Sequence, residues 1–241
     1  MTNPNWLKSA EFWRNLVRSR PEIQRCLTPR TNEFIRAAPT VKQAAFLLLD
    51  QREALYGGAA GGGKSQALLA AALQYVDLPG YAALLVRRTY ADLALPGALM
   101  DRARLWLEGS AARWRQEEKT WRFPSGATLT FGYLDHPSHK HRYQSSEFQF
   151  VGFDELTQFG EAEYTYLFSR LRRLRDFPSP VRMRSASNPG GAGHDWVRRR
   201  FLIDGPAHGR IFIPATLDDN PHLDRDQYIA GLQELDPLTR R

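Results

Sequence analysis

Apolar residues in this chain fall into short dense runs separated by glycine-rich or polar breaks. Glu53-Ala54-Leu55-Tyr56 reads as a short buried strand, and Tyr81-Ala82-Ala83-Leu84-Leu85-Val86-Arg87-Arg88 as a buried parallel strand ending in two arginines. Phe148-Gln149-Phe150-Val151-Gly152-Phe153 is a third such run, closed by Asp154 and Glu155. Val181 to Ser187 and Arg210 to Thr216 complete the strand set. Between them lie helical stretches. One opens at Pro39-Thr40, with Thr40 as N-cap, and Gln66 to Tyr75 is rich in strong helix formers. Tyr90 to Glu108 is helical with a break at Pro96-Gly97, and Glu161 to Arg175 carries Tyr164, Leu167, Phe168 and Leu171 along one face. His194 to Leu202 and Asp224 to Leu235 are expected as shorter helices. Residues 112–134 change character: three short aromatic runs around the turn Pro124-Ser125-Gly126 predict an antiparallel insertion. Its aromatics alternate with arginines, a pattern that suits a half-buried hairpin face better than stacking on bases.

Strands alternating with helices predict an α/β fold with a mainly parallel central sheet. The expected organisation is a helical extension over 1–38, one domain over 39–216, and a helical or linker segment over 217–241. The extension has an apolar stripe of Trp6, Phe12, Trp13, Leu16 and Val17, interrupted by Pro21 and Pro29.

The break after the first strand is the most informative one. Tyr56-Gly57-Gly58-Ala59-Ala60-Gly61-Gly62-Gly63-Lys64-Ser65-Gln66 contains Gly-x4-Gly-Lys-Ser, the spacing of a phosphate-binding P-loop, between a strand and a helix. That arrangement aims backbone N–H groups and a helix N-terminus at a polyphosphate. Glycines allow the loop backbone angles closed to other residues and leave no side chain between backbone and phosphate. Lys64 is then expected on the β- and γ-phosphates and the Ser65 hydroxyl on Mg²⁺. A glycine-rich turn that happens to fit the pattern is the plain alternative.

Composition narrows the class further. The chain has 241 residues, enough for one full α/β core, and 42% are apolar. No apolar run reaches the roughly 18 residues of a membrane span, and the N-terminus lacks a signal-peptide pattern. Cys26 is the only cysteine, so neither an intrachain disulfide nor a cysteine metal cluster is expected, and a cytosolic setting fits. Lys+Arg 33 against Asp+Glu 26 gives +7, mostly arginine, which suits forked recognition of phosphate or carboxylate.

Other polar residues acquire meaning from the P-loop. Gln43 offers the donor and acceptor that recognition of an adenine edge requires, or it is a solvated surface glutamine. Asp154 at the end of a buried strand suits a Walker B acid holding Mg²⁺, and Glu155 suits a base that polarises the attacking water. Ser187 and Asn188 end the strand that follows and would sit near the γ-phosphate, where they could pass on hydrolysis; a simple turn is the alternative. His136, His139 and His141 lie close together, but no cysteine or carboxylate set accompanies them as a zinc site would require.

Taken in order, Gln43, the P-loop, Arg87-Arg88, the hairpin, Asp154-Glu155 and Ser185-Ala186-Ser187-Asn188-Pro189 resemble the ATPase half of the large terminase subunit of tailed bacteriophages. The stretch Arg142-Tyr143-Gln144-Ser145-Ser146-Glu147 before the acids adds to the likeness. The resemblance implies a P-loop NTPase of the ASCE type that hydrolyses ATP with Mg²⁺ to drive double-stranded DNA into a procapsid. It implies adenine contact by Gln43, phosphate contact by Gly58 to Gln66, Mg²⁺ at Ser65 and Asp154, and coupling through Ser185, Ser187 and Asn188. By position it makes Arg142 an arginine finger for a neighbouring subunit, with Arg87 and Arg88 as rivals. Expected partners are DNA, the portal of the procapsid, the small terminase subunit and copies of the chain in a ring, a pentamer while packaging and a monomer when isolated. The expected setting is the host cytoplasm. The family's C-terminal nuclease would begin where this sequence stops, so no nuclease activity is expected. Rival readings are a helicase- or recombinase-like ATPase, or a DNA- or portal-binding module with a vestigial nucleotide site.

Overall fold

A computed structural model describes residues 28–221 and 223–233. Cys26 and the expected stripe from Trp6 to Val17 lie outside the described residues, as does the C-terminal stretch 234–241. In chain order the elements are α1 (Val41–Leu48), β1 (Glu53–Gly58), α2 (Lys64–Leu73), β2 (Ala82–Arg87), α3 (Tyr90–Ala94), α4 (Leu99–Leu107), β3 (Arg113–Arg115), β4 (Thr120–Arg122), β5 (Thr128–Tyr133), β6 (Phe150–Asp154), α5 (Glu161–Phe168), β7 (Arg182–Ser187), α6 (His194–Arg198), β8 (Ile211–Ala215) and α7 (Arg225–Gln233).

The strands form one eight-stranded sheet in the order β3-β4-β5-β2-β6-β7-β1-β8. From β5 to β8 every pairing is parallel, and β3 and β4 add antiparallel at one edge. The strand β7 separates β1 from β6, as the ASCE type requires. Alternation along the strands sends side chains to two cores. On β2, Ala83 and Leu85 join Phe46, Leu68, Leu69 and Leu73 on the face covered by α1 and α2. Leu84 and Val86 join Val151, Phe153, Tyr164 and Phe201 on the other. The helix α2 runs between the sheet, α1 and α4, and is buried over most of its length from Ala67 to Leu73.

Three details differ from the sequence expectation. The run Thr128–Tyr133, expected within the antiparallel insertion, does pair antiparallel with β4 but also pairs parallel with β2, so the hairpin extends the main sheet from its edge. The helix expected to reach Arg175 stops at Phe168. There Arg170 O accepts from Phe148 N (3.1 Å) and Phe148 O from Arg172 N (2.9 Å), so the chain leaves the helix to bridge the start of β6. Of 1–38, the described residues 28–38 contain no helix; Arg30 Nε and Asn32 Nδ2 donate to the carbonyls of Gln74 and Leu73 at the end of α2.

Polar residues on β7 also turn inward. Arg184 is fully buried and donates to the carbonyls of Leu49 (2.7 Å), Gln51 (2.9 Å) and Met183 (3.0 Å). Arg182 donates to Gln74 Oε1 at 3.1 Å. These guanidiniums supply donors to the chain leaving α1, where helix carbonyls have no partner of their own.

Candidate nucleotide-binding site

The loop between β1 and α2 is held from outside, which leaves its concave side to backbone N–H groups. Gly58, Gly61 and Gly63 have φ of 133°, 79° and 73°, a region that side chains disfavour. A Cβ on Gly58 would also run into the Ala215 carbonyl, and one on Gly63 would lie 2.6 Å from Gln43 Nε2. Ala59 N donates to Ala215 O (3.0 Å), and Asn220 Nδ2 donates to Gly61 O (2.6 Å). Gln43 is buried behind the loop. Its Nε2 donates to Gly63 O (2.9 Å) and its Oε1 accepts from Thr40 N (2.9 Å), closing a capping box at the start of α1. One amide hydrogen and one lone pair of Gln43 stay free of these two bonds.

Lys64 begins α2 and folds back over the loop, donating to the carbonyls of Gly58 and Ala59. Burial pushes its ammonium below the usual lysine value, while Glu155 and Asp154 pull it back up. Ser65 Oγ donates to Asp154 Oδ1 at 2.9 Å, joining the loop to the end of β6. Asp154 is buried and its Oδ2 takes Arg87 Nη1 at 2.8 Å. Burial raises the Asp154 carboxyl above the ordinary range; Arg87 opposes that, and the adjacent Glu155 adds to it. Arg87, at the end of β2, is therefore engaged within its own subunit. Arg88 is likewise paired with Glu163 (2.8 Å).

Glu155 takes a left-handed backbone conformation, φ 54° and ψ 56°. This is rare for a residue with a side chain, and here the flanking strand and turn impose it. Its Oε2 accepts from Asn188 N at 3.4 Å. Two residues on, Thr157 N donates to Ser187 Oγ (3.1 Å), and the two hydroxyls lie 3.0 Å apart. The turn after β6 is thereby tied to the end of β7, with Ser185 buried in that strand.

A cleft of about 360 Å³ runs along the loop from Ala60 to Gln66 and is closed by Arg102, Glu155, Asn188, Asn220 and Leu223. Sequence reasoning identified the loop, Glu155 and Asn188. It missed Arg102, Asn220 and Leu223, and also Thr157, because no motif marks them; they reach the site only through the packing of α4, the turn after β6 and the segment after β8. Arg142 does not line this cleft. It is exposed on a 3₁₀ turn, Pro137–Tyr143, with its guanidinium 5.1 Å from the Tyr133 ring centre and 2.9 Å from His139 Nε2. Neighbouring histidines are used locally: His136 Nδ1 meets Ser138 Oγ at 2.7 Å, and His139 pairs with Asp135.

The donors at the loop suit a hard divalent cation. A hydroxyl and a carboxylate 2.9 Å apart are oxygen ligands of the kind Mg²⁺ takes, with phosphate and water completing its shell.

Comparisons with known proteins support the fold that carries this site. A family model described as "Terminase large subunit, T4likevirus-type, N-terminal" matches residues 55–194. Among solved structures, the large terminase of a thermophilic bacteriophage aligns with a TM-score of 0.68 at 14% identity, covering 85% of this chain and 52% of that one. The same phage protein in complex with ADP gives 0.67 at 16%, covering 84% and 52%. The ATPase domain of the Thermus phage P74-26 large terminase gives 0.56 at 13%, covering 88% of this chain and 96% of that domain. No curated protein sequence matches. This chain spans about half the length of the thermophilic phage's protein. Since the family match takes in more than half of its residues and includes the loop and both acids, the chain belongs to the family of terminase large subunits, T4likevirus-type, N-terminal part.

Proposed function

We propose that this chain is the ATPase part of a DNA-packaging motor, hydrolysing ATP with Mg²⁺ to move double-stranded DNA into a procapsid. The observation that carries the reading is the Ser65–Asp154 contact at 2.9 Å. It brings two motifs far apart in sequence to one point, beside a residue with the chemistry of a base. The backbone N–H groups of Gly61 to Ser65, with Gly58, Ala59, Ala60 and Gln66 shaping the loop, hold the phosphates. Lys64 exchanges its loop carbonyls for phosphate oxygens. Ser65 and Asp154 would hold Mg²⁺, which would supply positive charge to offset that of the phosphates. Glu155 orients a water for in-line attack and takes its proton, for which its side chain already faces the cleft. Gln43 uses its remaining donor and acceptor on the adenine edge. Ser185, Ser187 and Asn188 carry the change at the γ-phosphate into β7, because Asn188 N meets Glu155 and Ser187 meets Thr157.

Arg142 completes a neighbouring copy's site. Its exposure favours it over Arg87 and Arg88, whose guanidiniums are paired with Asp154 and Glu163 of their own chain. An arginine finger contributes roughly 10³–10⁵ in rate, so activity depends on assembly. The partners in this reading are DNA, the portal, the small terminase subunit and further copies in a ring, a pentamer during packaging, in the cytoplasm of the infected host.

The test is a titration with ATPγS, with and without Mg²⁺, on wild type and Lys64→Ala. Saturable Mg²⁺-dependent binding, weakened about tenfold or more in Lys64→Ala, is expected from the loss of a charge-assisted phosphate contact. Absence of binding by wild type would leave the vestigial-site reading in its place.

A further inference from the structure

The cleft contains one cation that the reading above does not use. Arg102 lies on α4, which packs beside α2, and reaches the first turn of that helix. Its Nη1 lies 3.4 Å from Gln66 Oε1, a long contact, and its Nη2 donates to Gly97 O at 3.2 Å. Its Nε is buried with no hydrogen-bond partner. A guanidinium has five N–H donors in a planar fork, so most of its capacity is uncommitted here. Burying such a donor without an acceptor is unfavourable, and a phosphate oxygen in the cleft would relieve it. The cleft that Arg102 lines is the one formed by Lys64, Ser65 and Glu155.

We propose that Arg102 is a phosphate-binding residue acting within its own subunit, on the γ-phosphate of a bound nucleoside triphosphate. The inference rests on the nucleotide reading of the site and adds to it the residue that tells triphosphate from diphosphate. The γ assignment follows from the cleft that Arg102 shares with Glu155, the residue assigned to the water that attacks that phosphate, and it places a second cation there beside Lys64. Contact with the γ-phosphate draws Nη2 away from Gly97 O. That carbonyl belongs to the turn between α3 and α4, which is otherwise closed by Ala98 N on Leu95 O (2.9 Å) and Gly97 N on Asp101 Oδ2 (2.9 Å). Triphosphate binding thereby changes the holding of this turn, by a route separate from Ser187 and Asn188.

The experiment compares ATPγS and ADP affinity, both with Mg²⁺, for wild type, Arg102→Ala and Arg102→Lys. Removing one charge-assisted contact is expected to weaken ATPγS about tenfold in Arg102→Ala and to change ADP by less than about threefold. Arg102→Lys should recover part of the ATPγS affinity, since a point charge replaces the fork. Equal losses for the two nucleotides would show that Arg102 only supports the turn at Gly97, and unchanged affinities would show that it does not reach the phosphates; either overturns the proposal. The nucleotide reading itself is judged separately, on the wild type: if it binds neither ligand, both that reading and this one fall.

Discussion

Asp154 shows how a carboxyl group can be buried at the expense of stability. It sits at the end of a buried strand with Ser65 on one oxygen and Arg87 on the other, yet burial still holds its carboxyl above the ordinary range. A raised folded-state value means that the unfolded chain gives up this proton more readily. Its contribution is therefore most favourable below the ordinary carboxylate value of about 3.9 and declines as pH rises towards the raised value. Asp154→Asn removes that dependence. The difference in melting temperature, Asp154→Asn minus wild type, should grow as pH rises through this window, measured without nucleotide. A difference that shrinks with rising pH would mean that the Arg87 pair outweighs burial. That Lys64, Ser65, Asp154 and Glu155 come together was legible in the sequence, because the loop motif and the acids ending a buried strand restrict both residue type and spacing. Arg102 was not, since an arginine on an amphipathic helix looks the same whether it faces solvent or a cleft.

At the scale of elements, the strands and most helices were readable because short apolar runs between glycine-rich breaks leave few alternatives. Failures came where tertiary bonds overrode local pattern. The helix from Glu161 stops at Phe168 because the following residues bridge to Phe148. The alternating Arg182 and Arg184 look like solvent-facing positions, and instead serve carbonyls inside the core. Glu53, at the first position of β1, anchors the strand that carries the loop. It is buried, accepts from Tyr164 Oη (3.0 Å) and Arg210 Nε (3.1 Å), and also pairs with Arg200. Glu53→Ala leaves the part-buried Arg210 without its carboxylate and Arg200 with only Glu161 at 3.5 Å, and should destabilise the fold by about 3–5 kcal/mol. Denaturant unfolding measures this. A loss below about 1 kcal/mol, the range of exposed pairs, would mean that the cluster adds nothing beyond surface ion pairing.

For the molecule as a whole, one mainly parallel sheet gathers the candidate site at the carboxyl ends of β1, β2, β6 and β7, with the segment after β8 closing over the loop through Asn220 and Leu223. That closure was illegible because residues 217–223, two leucines around a mostly polar stretch, carry no motif. In the proposed reading, Arg142, exposed and outside the cleft of its own chain, completes the site of a neighbouring copy. Per-chain turnover should then rise with protein concentration, and Arg142→Ala should abolish the rise while nucleotide binding persists. The most direct measurement is phosphate release from Mg·ATP across a range of protein concentrations, for wild type and Glu155→Gln, with nucleotide binding checked on the same samples. Wild type is expected to turn over increasingly as chains associate. Glu155→Gln should bind nucleotide and fall at least about 100-fold in rate, the loss typical of a missing general base. Turnover by Glu155→Gln equal to wild type at every concentration would contradict the assignment of this cleft as the site of hydrolysis.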